Sequence, residues 1–409
     1  MTPSHDLTRR DFLRASAWSA LAVGLAACGP SATEKPSAPA PPASASAPPA
    51  TATPEPSAPA SASASPALSL EAKIARLLVV GFRGLDLESA SSVGAAISDQ
   101  GLGGVILFDR DQATGGPRNI ASPEQLTALV SGLKGLAIGR NLLVAVDQEG
   151  GKVVRLKPAY GFPAATSEAA IGATDSEAAA TAWAESIAGT LASVGINFNL
   201  APVVDLNVNP TNPAIGALDR SFSADPEVVV RMARAEIDAH RAAGVRTTMK
   251  HFPGLGSAST NTDFGVADVT KTWSRTELEP FRSLIDAGAA DSVMAGNLVN
   301  GQIDPEAPAS LSKATVTDLL RGELGWDGVV ITDDLQAAAI TEAFGRDEAI
   351  ARAVEAGNDL LLFANQQTYD ADIVDRVVTT IAGFVTSGRI SEARIDESFA
   401  RVEAFATTG

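Results

Sequence analysis

Short apolar runs alternate with longer amphipathic segments along residues 67–409, and that alternation predicts the fold. Eight runs have strand length: residues 77–82, 104–108, 142–146, 196–200, 246–249, 292–295, 328–332 and 359–363. Most are continuously apolar, the pattern of parallel strands covered by helices on both faces. The intervening segments read as helices. Over residues 227–243, Val229, Met232, Ala233 and Ile237 recur at helical spacing, Asp225-Pro226 supplies a start signal and Gly244 a stop. Eight such units suit a (β/α)8 barrel, and about 340 residues is an ordinary size for one α/β barrel domain.

Polar residues at the strand ends separate a barrel from an open doubly wound sheet. Asp147 follows the third run, Asp205 the fourth, Lys250 and His251 the fifth, Asn297 the sixth and Asp333 the seventh. An open sheet would string these groups along an edge. A closed barrel gathers them at its C-terminal mouth, where barrel enzymes place their sites. Helix caps would account for Asp or Asn after each strand, but not for Lys-His.

The first 66 residues follow different rules. Arg9-Arg10-Asp11-Phe12-Leu13 precedes a short apolar stretch from Ala15 to Ala27 that closes on Leu25-Ala26-Ala27-Cys28. The stretch is too short for a stable membrane-spanning helix. It resembles a twin-arginine export signal ending in a bacterial lipobox, which implies cleavage before Cys28 and lipidation of its thiol. A general secretory route is the alternative. Residues 29–66 are almost wholly Pro, Ala, Ser and Thr, with 11 prolines in 38 residues, a composition that cannot bury enough apolar surface to fold. This reads as a disordered tether with a reach on the order of 100 Å. The expected organisation is a signal over 1–28, a linker over 29–66 and a barrel over 67–409, with the product held by lipid on the outer face of a bacterial cell membrane.

Composition narrows the chemistry. The 409 residues carry a formal charge of −17, one cysteine and three histidines. A lone Cys excludes a disulfide framework and a multi-thiolate zinc site. The acidic balance argues against a nucleic-acid partner, and basic and acidic residues balance within residues 1–66, so the surplus belongs to the barrel. No phosphate-cradling glycine loop or clustered ligand pattern appears, so neither a metal nor a cofactor is expected. A monomer is expected.

Five motifs carry the remaining information: Asp147-Gln148-Glu149-Gly150-Gly151-Lys152-Val153-Val154-Arg155, Ala201-Pro202-Val203-Val204-Asp205, Asp219-Arg220-Ser221-Phe222, Lys250-His251-Phe252-Pro253-Gly254-Leu255-Gly256 and Val330-Ile331-Thr332-Asp333-Asp334-Leu335. In this order and spacing the chain resembles the N-terminal barrel of glycoside hydrolase family 3. Its nearest resemblance is to the single-domain β-N-acetylglucosaminidases that act on bacterial wall fragments. The resemblance implies hydrolysis of a terminal β-linked sugar with retention, Asp333 as nucleophile, and Asp147, Arg220, Lys250 and His251 as a clamp for sugar hydroxyls. Arg155 reads either as a further substrate contact or as a structural ion pair. Asp334 reads as a helix cap or as support for Asp333.

The proton shuttle departs from the family. Wall-fragment enzymes place Asp-Ser-His in the loop after Lys-His-Phe-Pro-Gly-x-Gly, and that His is the acid/base. Aligned without gaps, the loop here holds Asn261-Thr262-Asp263. His5 falls in the signal, His240 on the helix before the fifth strand, and His251 in the clamp, so no histidine is left for the role. Three readings follow: Asp263 is itself the acid/base, with its pKa raised by burial and by Asp333; the barrel is a catalytically impaired sugar-binding lipoprotein; or the substrate has a good leaving group or another partner supplies the proton. A β-glucosidase-like hydrolase is a further alternative, but those enzymes take their acid/base from a second domain that a chain of this length is not expected to hold. A transporter's solute-binding lipoprotein would need two hinged lobes, for which no pattern appears.

Overall fold

A computed structural model describes residues 68–407; the signal, Cys28 and the linker lie outside the described residues. Eight parallel strands form a closed ring: β1 (Leu78–Gly81), β2 (Gly104–Leu107), β3 (Leu143–Val146), β4 (Phe198–Asn199), β5 in two pieces (Arg246–Thr247 and Met249–Phe252), β6 (Ser292–Ala295), β7 (Val329–Thr332) and β8 (Leu361–Phe363). Pairing runs in sequence order from β1 to β4 and on to the first piece of β5. The second piece of β5 continues to β6 through Met249 with Val293, and β6 pairs with β7 through Val293 with Val330. A parallel bridge from Ile331 to Leu360 joins β7 to β8, and Leu361 pairs with Leu78 to close the circle. The (β/α)8 barrel expected from the alternating pattern is therefore present.

Strand residues fill the interior and helices pack outside. The helix Pro226–Ala242 begins where Asp225 accepts a hydrogen bond from Glu227 N and Pro226 fixes the first turn, and it buries Val229, Met232, Ala233 and Ile237. The β8–β1 seam has its own fastening. Arg118 is fully buried and donates to Phe82 O (2.8 Å), Asp111 Oδ2 (2.9 Å), Gln366 Oε1 (3.1 Å) and Asn365 O (2.9 Å). One guanidinium thus binds segments following β1, β2 and β8, a use of its fixed fork of donors. Close approach at the same seam requires Gly81, because a Cβ there would lie 1.9 Å from Ala364 O.

Two local expectations change. The fifth strand does not stop at residue 249: Val203 bridges Lys250, and Phe252 pairs with Ala295, so Lys250 and His251 lie within the strand instead of after it. A small side sheet of Ala267–Asp268, Leu298–Asn300 and Asp304–Pro308 also forms beside the mouth. Its pieces are too short for period-two alternation to be read from sequence.

Candidate active site

The C-terminal ends of β3, β4, β5 and β7 bring most of the expected residues together. Lys250 enters from β5 with a side chain 2% exposed, and its Nζ lies 3.0 Å from Asp147 Oδ1 and 2.6 Å from Glu149 Oε1. Arg220 grips the same Glu149 with two bonds, Nε to Oε2 at 2.7 Å and Nη2 to Oε1 at 2.8 Å. Arg155 reaches Asp147 Oδ2 at 3.3 Å. Burial would push the Asp147 carboxyl up, but Lys250 and Arg155 outweigh it and hold the group well below the usual carboxylate range. Burial would lower the Lys250 ammonium, yet Asp147 and Glu149 keep it above its ordinary value. Three cations against two carboxylates therefore stay charged in a largely desolvated cluster, the condition under which charge-assisted bonds to sugar hydroxyls are strongest.

His251 is oriented from behind. Its Nδ1 lies 2.7 Å from Asp205 Oδ2, while its backbone N and that of Leu255 also donate to Asp205, the latter at 2.6 Å. With Nδ1–H donating to a carboxylate, Nε2 is left toward the site, 3.4 Å from Arg220 Nη2. Gly256 permits the following loop to pack, since a Cβ there would stand 1.8 Å from Leu206 O.

Asp333 follows β7 directly. Its Oδ1 accepts from Asp334 N at 2.8 Å and its Oδ2 from Asn297 N at 3.4 Å, so two backbone donors fix the carboxylate plane. Asp334 turns elsewhere, with Oδ1 accepting from Gln336 N (3.1 Å) and Ala364 N (3.0 Å). It braces the β7 and β8 ends, and burial pushes it up to about 7. Asn297 supports the same corner through Asp334 O (2.8 Å) and Ser310 Oγ (2.6 Å).

Asp263 is exposed on the loop after β5. Asn261 Oδ1 accepts from its backbone N at 2.9 Å, and Gln367 Nε2, beyond β8, donates to its carbonyl at 3.0 Å. The loop thus spans the mouth from β5 to β8. Crowding by surrounding protein raises the Asp263 carboxyl above its ordinary value; the charge of Asp333 adds to this, and Arg220 and His251 partly oppose it. The Gln367 bond therefore holds the Asp263 loop across the mouth at which the clamp and Asp333 lie.

Several residues were not singled out from sequence. Glu149 sits inside a quoted motif yet proves to be the shared anion of the clamp. Glu168 and Glu236 lie behind it, both fully buried. Glu168 Oε1 accepts from Val203 N at 3.1 Å, and among the described residues neither oxygen of Glu236 meets a protein donor. Burial, and then their mutual charge and that of Glu149, raises Glu168 well above the ordinary range; burial and Glu149 do the same for Glu236. Spacing held the clue: Glu236 and His240 fall on the apolar face marked by Val229, Met232 and Ala233. His240 is buried too, with Nε2 3.0 Å from Asn199 Nδ2 and Nδ1 2.9 Å from Glu236 O, and burial lowers it to about 4. Among the described residues no group of three or more His, Cys, Asp or Glu side chains is placed to hold a metal ion.

Comparison with known proteins shows the family. The profile of the Glycosyl hydrolase family 3 N terminal domain matches residues 69–405. The Beta-hexosaminidase A of Pseudoalteromonas piscicida is 32% identical over 76% of this chain, and the match spans only 54% of that protein's length. The structure of a family 3 β-N-acetylglucosaminidase from a Paenibacillus species superposes with a TM-score of 0.76 at 36% identity, covering 84% of this chain and 63% of that one. A β-N-acetylhexosaminidase from Beutenbergia cavernae superposes with a TM-score of 0.74 at 36% identity, covering 83% of this chain and 99% of that one.

The buried acids behind the clamp predict a pH dependence of stability. Their folded pKa values exceed the unfolded ones, so above about pH 4.3 the folded state retains protons that the unfolded chain has released, and stability falls as pH rises. Glu236→Gln mimics the protonated side chain. Urea unfolding at a series of pH values should show the decline flattened in this variant, by at most about 1.4 kcal/mol per pH unit. An unchanged slope would contradict the assignment of Glu236 as a protonated acid.

Proposed function

Because the chain belongs to glycoside hydrolase family 3, we propose that it is a β-N-acetylhexosaminidase that removes a terminal β-linked sugar, N-acetylglucosamine of wall-derived glycans, with retention of configuration. The single observation that carries this reading is that Asp333 ends β7 at the mouth lined by the clamp, while Asp263 stands on a loop held across that mouth by Gln367. Asp333 is held by two backbone N–H groups. Asp263, on the bridging loop, is pushed toward its protonated form. Such a pair divides the labour of a retaining glycosidase.

In the first step the Asp333 carboxylate attacks the anomeric carbon while Asp263 gives its proton to the glycosidic oxygen, and the leaving group departs as an alcohol. In the second, the Asp263 carboxylate takes a proton from water, whose oxygen displaces Asp333 and releases the sugar. Asp147, Lys250, Arg220 and His251 hold the ring hydroxyls, and Arg155 steadies Asp147 from the side. Asp263 takes the place that a histidine holds in the wall-fragment enzymes the sequence resembles.

The same proposal places the protein outside the cytoplasm, tethered by a lipid on Cys28. Support comes from the Arg9-Arg10 run, the apolar stretch and the position of the sole cysteine. Cell fractionation tests it: Cys28→Ser should move the protein from the membrane to the soluble fraction, and equal membrane retention of the variant would sink the anchor.

Asp263→Ala should depress hydrolysis of alkyl glycosides by a factor of about 10²–10⁴, the usual contribution of general acid catalysis. Activated aryl glycosides need little protonation and should lose far less. With Asp263 acting as the acid, kcat/KM for alkyl glycosides should fall as pH rises through its raised pKa, and the variant should lack that alkaline limb. Equal losses on both substrate classes, or an alkaline limb retained in the variant, would remove Asp263 from the role. Tight sugar binding by the wild type without any turnover would favour the sugar-binding reading instead.

A further inference from the structure

The charges of the clamp come from the β3 end, the loop after β4, and β5. Residues 165–172 supply none of them, yet they are fastened to the first two stretches directly and to the third through Val203. At the β3 end, Gly151 N donates to Ala165 O at 2.9 Å, two residues beyond Glu149. In the loop after β4, Asp219 O accepts from Ala169 N at 3.2 Å, beside Arg220. Trp183 secures the same corner: its Nε1 donates to Thr166 O at 2.9 Å, and its ring packs edge to face with Phe222. The third contact is made by the side chain of Glu168, which opens the helix Glu168–Gly172.

That contact answers a backbone need. Lys250 N donates to Pro202 O at 3.2 Å, and Val204 N donates to Lys250 O at 2.8 Å. Both strand bonds of Lys250 thus go to the residues on either side of Val203, its bridge partner. In a parallel ladder this turns the N–H of Val203 away from β5 and toward β3. The β3–β4 pairing has already ended there, its last partners being Val146 and Asn199. Val203 is fully buried, and a buried N–H without an acceptor is costly. Glu168 Oε1 supplies the acceptor at 3.1 Å. Glu168 is 1% exposed and its Oε2 meets no protein donor, so the bond to Val203 is the polar tie of this side chain.

We propose that Glu168 is a positioning residue for the sugar clamp: by holding Val203 it sets the backbone rung from which Lys250 reaches Asp147 and Glu149. This deepens the proposed glycosidase function and rests on it. Glu168 acts through Lys250 and not on the sugar itself.

Two variants separate the acceptor from the bulk of the side chain. Burial and the charge of Glu236 raise the Glu168 carboxyl well above its ordinary range, so Glu168→Gln reproduces its shape and neutral charge and keeps an oxygen for Val203 N. Glu168→Leu keeps the bulk and removes the acceptor. Isothermal titration with N-acetylglucosamine, well below the unfolding temperature, reads the clamp without the chemistry. Glu168→Leu should weaken binding about three- to tenfold, and Glu168→Gln should stay within about twofold of wild type. A purely structural residue would lower the unfolding temperature of Glu168→Leu and leave the sugar affinity of the folded protein unchanged, and that result would overturn the positioning role while leaving the proposed hydrolysis intact. A larger loss of affinity in Glu168→Gln would overturn it as well, and this arm stands even where the leucine variant does not fold. A wild type that neither bound N-acetylglucosamine nor hydrolysed its glycosides would overturn the proposed function, and the positioning role with it.

Discussion

The burial of the Lys250 ammonium between Asp147 and Glu149 is the constraint on which the site depends. A lone ammonium in that position would lose its proton or unfold its surroundings. Two carboxylates stabilise it, and they in turn need Arg220 and Arg155. The cluster is self-consistent only when all of its members are present. Its five members come from three stretches of chain: the β3 end, the loop after β4, and β5. The closed ring of strands brings these stretches to one mouth, and the seam held by Arg118 keeps that ring shut on the far side. Rigid placement of charge is what a sugar site requires, since hydroxyls are distinguished by direction more than by strength of attraction.

The proposed shuttle has a physical logic that a histidine would express differently. The charge of Asp333 adds to the upward push on the Asp263 carboxyl, favouring its protonated form. Formation of the glycosyl ester removes that charge. Asp263 then becomes a stronger acid at the moment it must serve as a base, so the alternation of roles follows from electrostatics. An imidazole responds in the same direction to the lost charge, but its protonated form is a cation and is attracted by Asp333 instead of repelled. A loop carboxyl must therefore depend on its surroundings and on like charge, and the Gln367 tie holds the loop that carries it across the mouth.

Much of this was legible in the sequence. Continuous apolar runs gave the eight strands, and the polar residues that end five of them pointed to one mouth. Family motifs then located Asp147, Arg220, Lys250, His251 and Asp333. Other parts were hidden for identifiable reasons. Lys250 and His251 read as lying beyond a strand, because the β4 and β6 partners that extend β5 are distant in sequence. The side sheet is built from pieces too short for any period. Glu236 looks like an ordinary helix acid until the helical face is followed through positions 229, 232, 233 and 236, and Glu168 opens a helix of five residues, Glu168–Gly172, too short to show a face. Arg118 lies in a loop between glycine, proline and asparagine, and nothing local marks it as the most deeply buried guanidinium of the seam.

The central claim is that Asp333 forms a covalent bond to the sugar within this clamp. Peptide mapping by mass spectrometry after incubation with a 5-fluoro N-acetylglucosaminyl fluoride tests it most directly. The account predicts a single added fluorosugar, carried on Asp333 and absent from an Asp333→Asn variant. A label on Asp334 or Asp263, or turnover without any trapped intermediate, would contradict it.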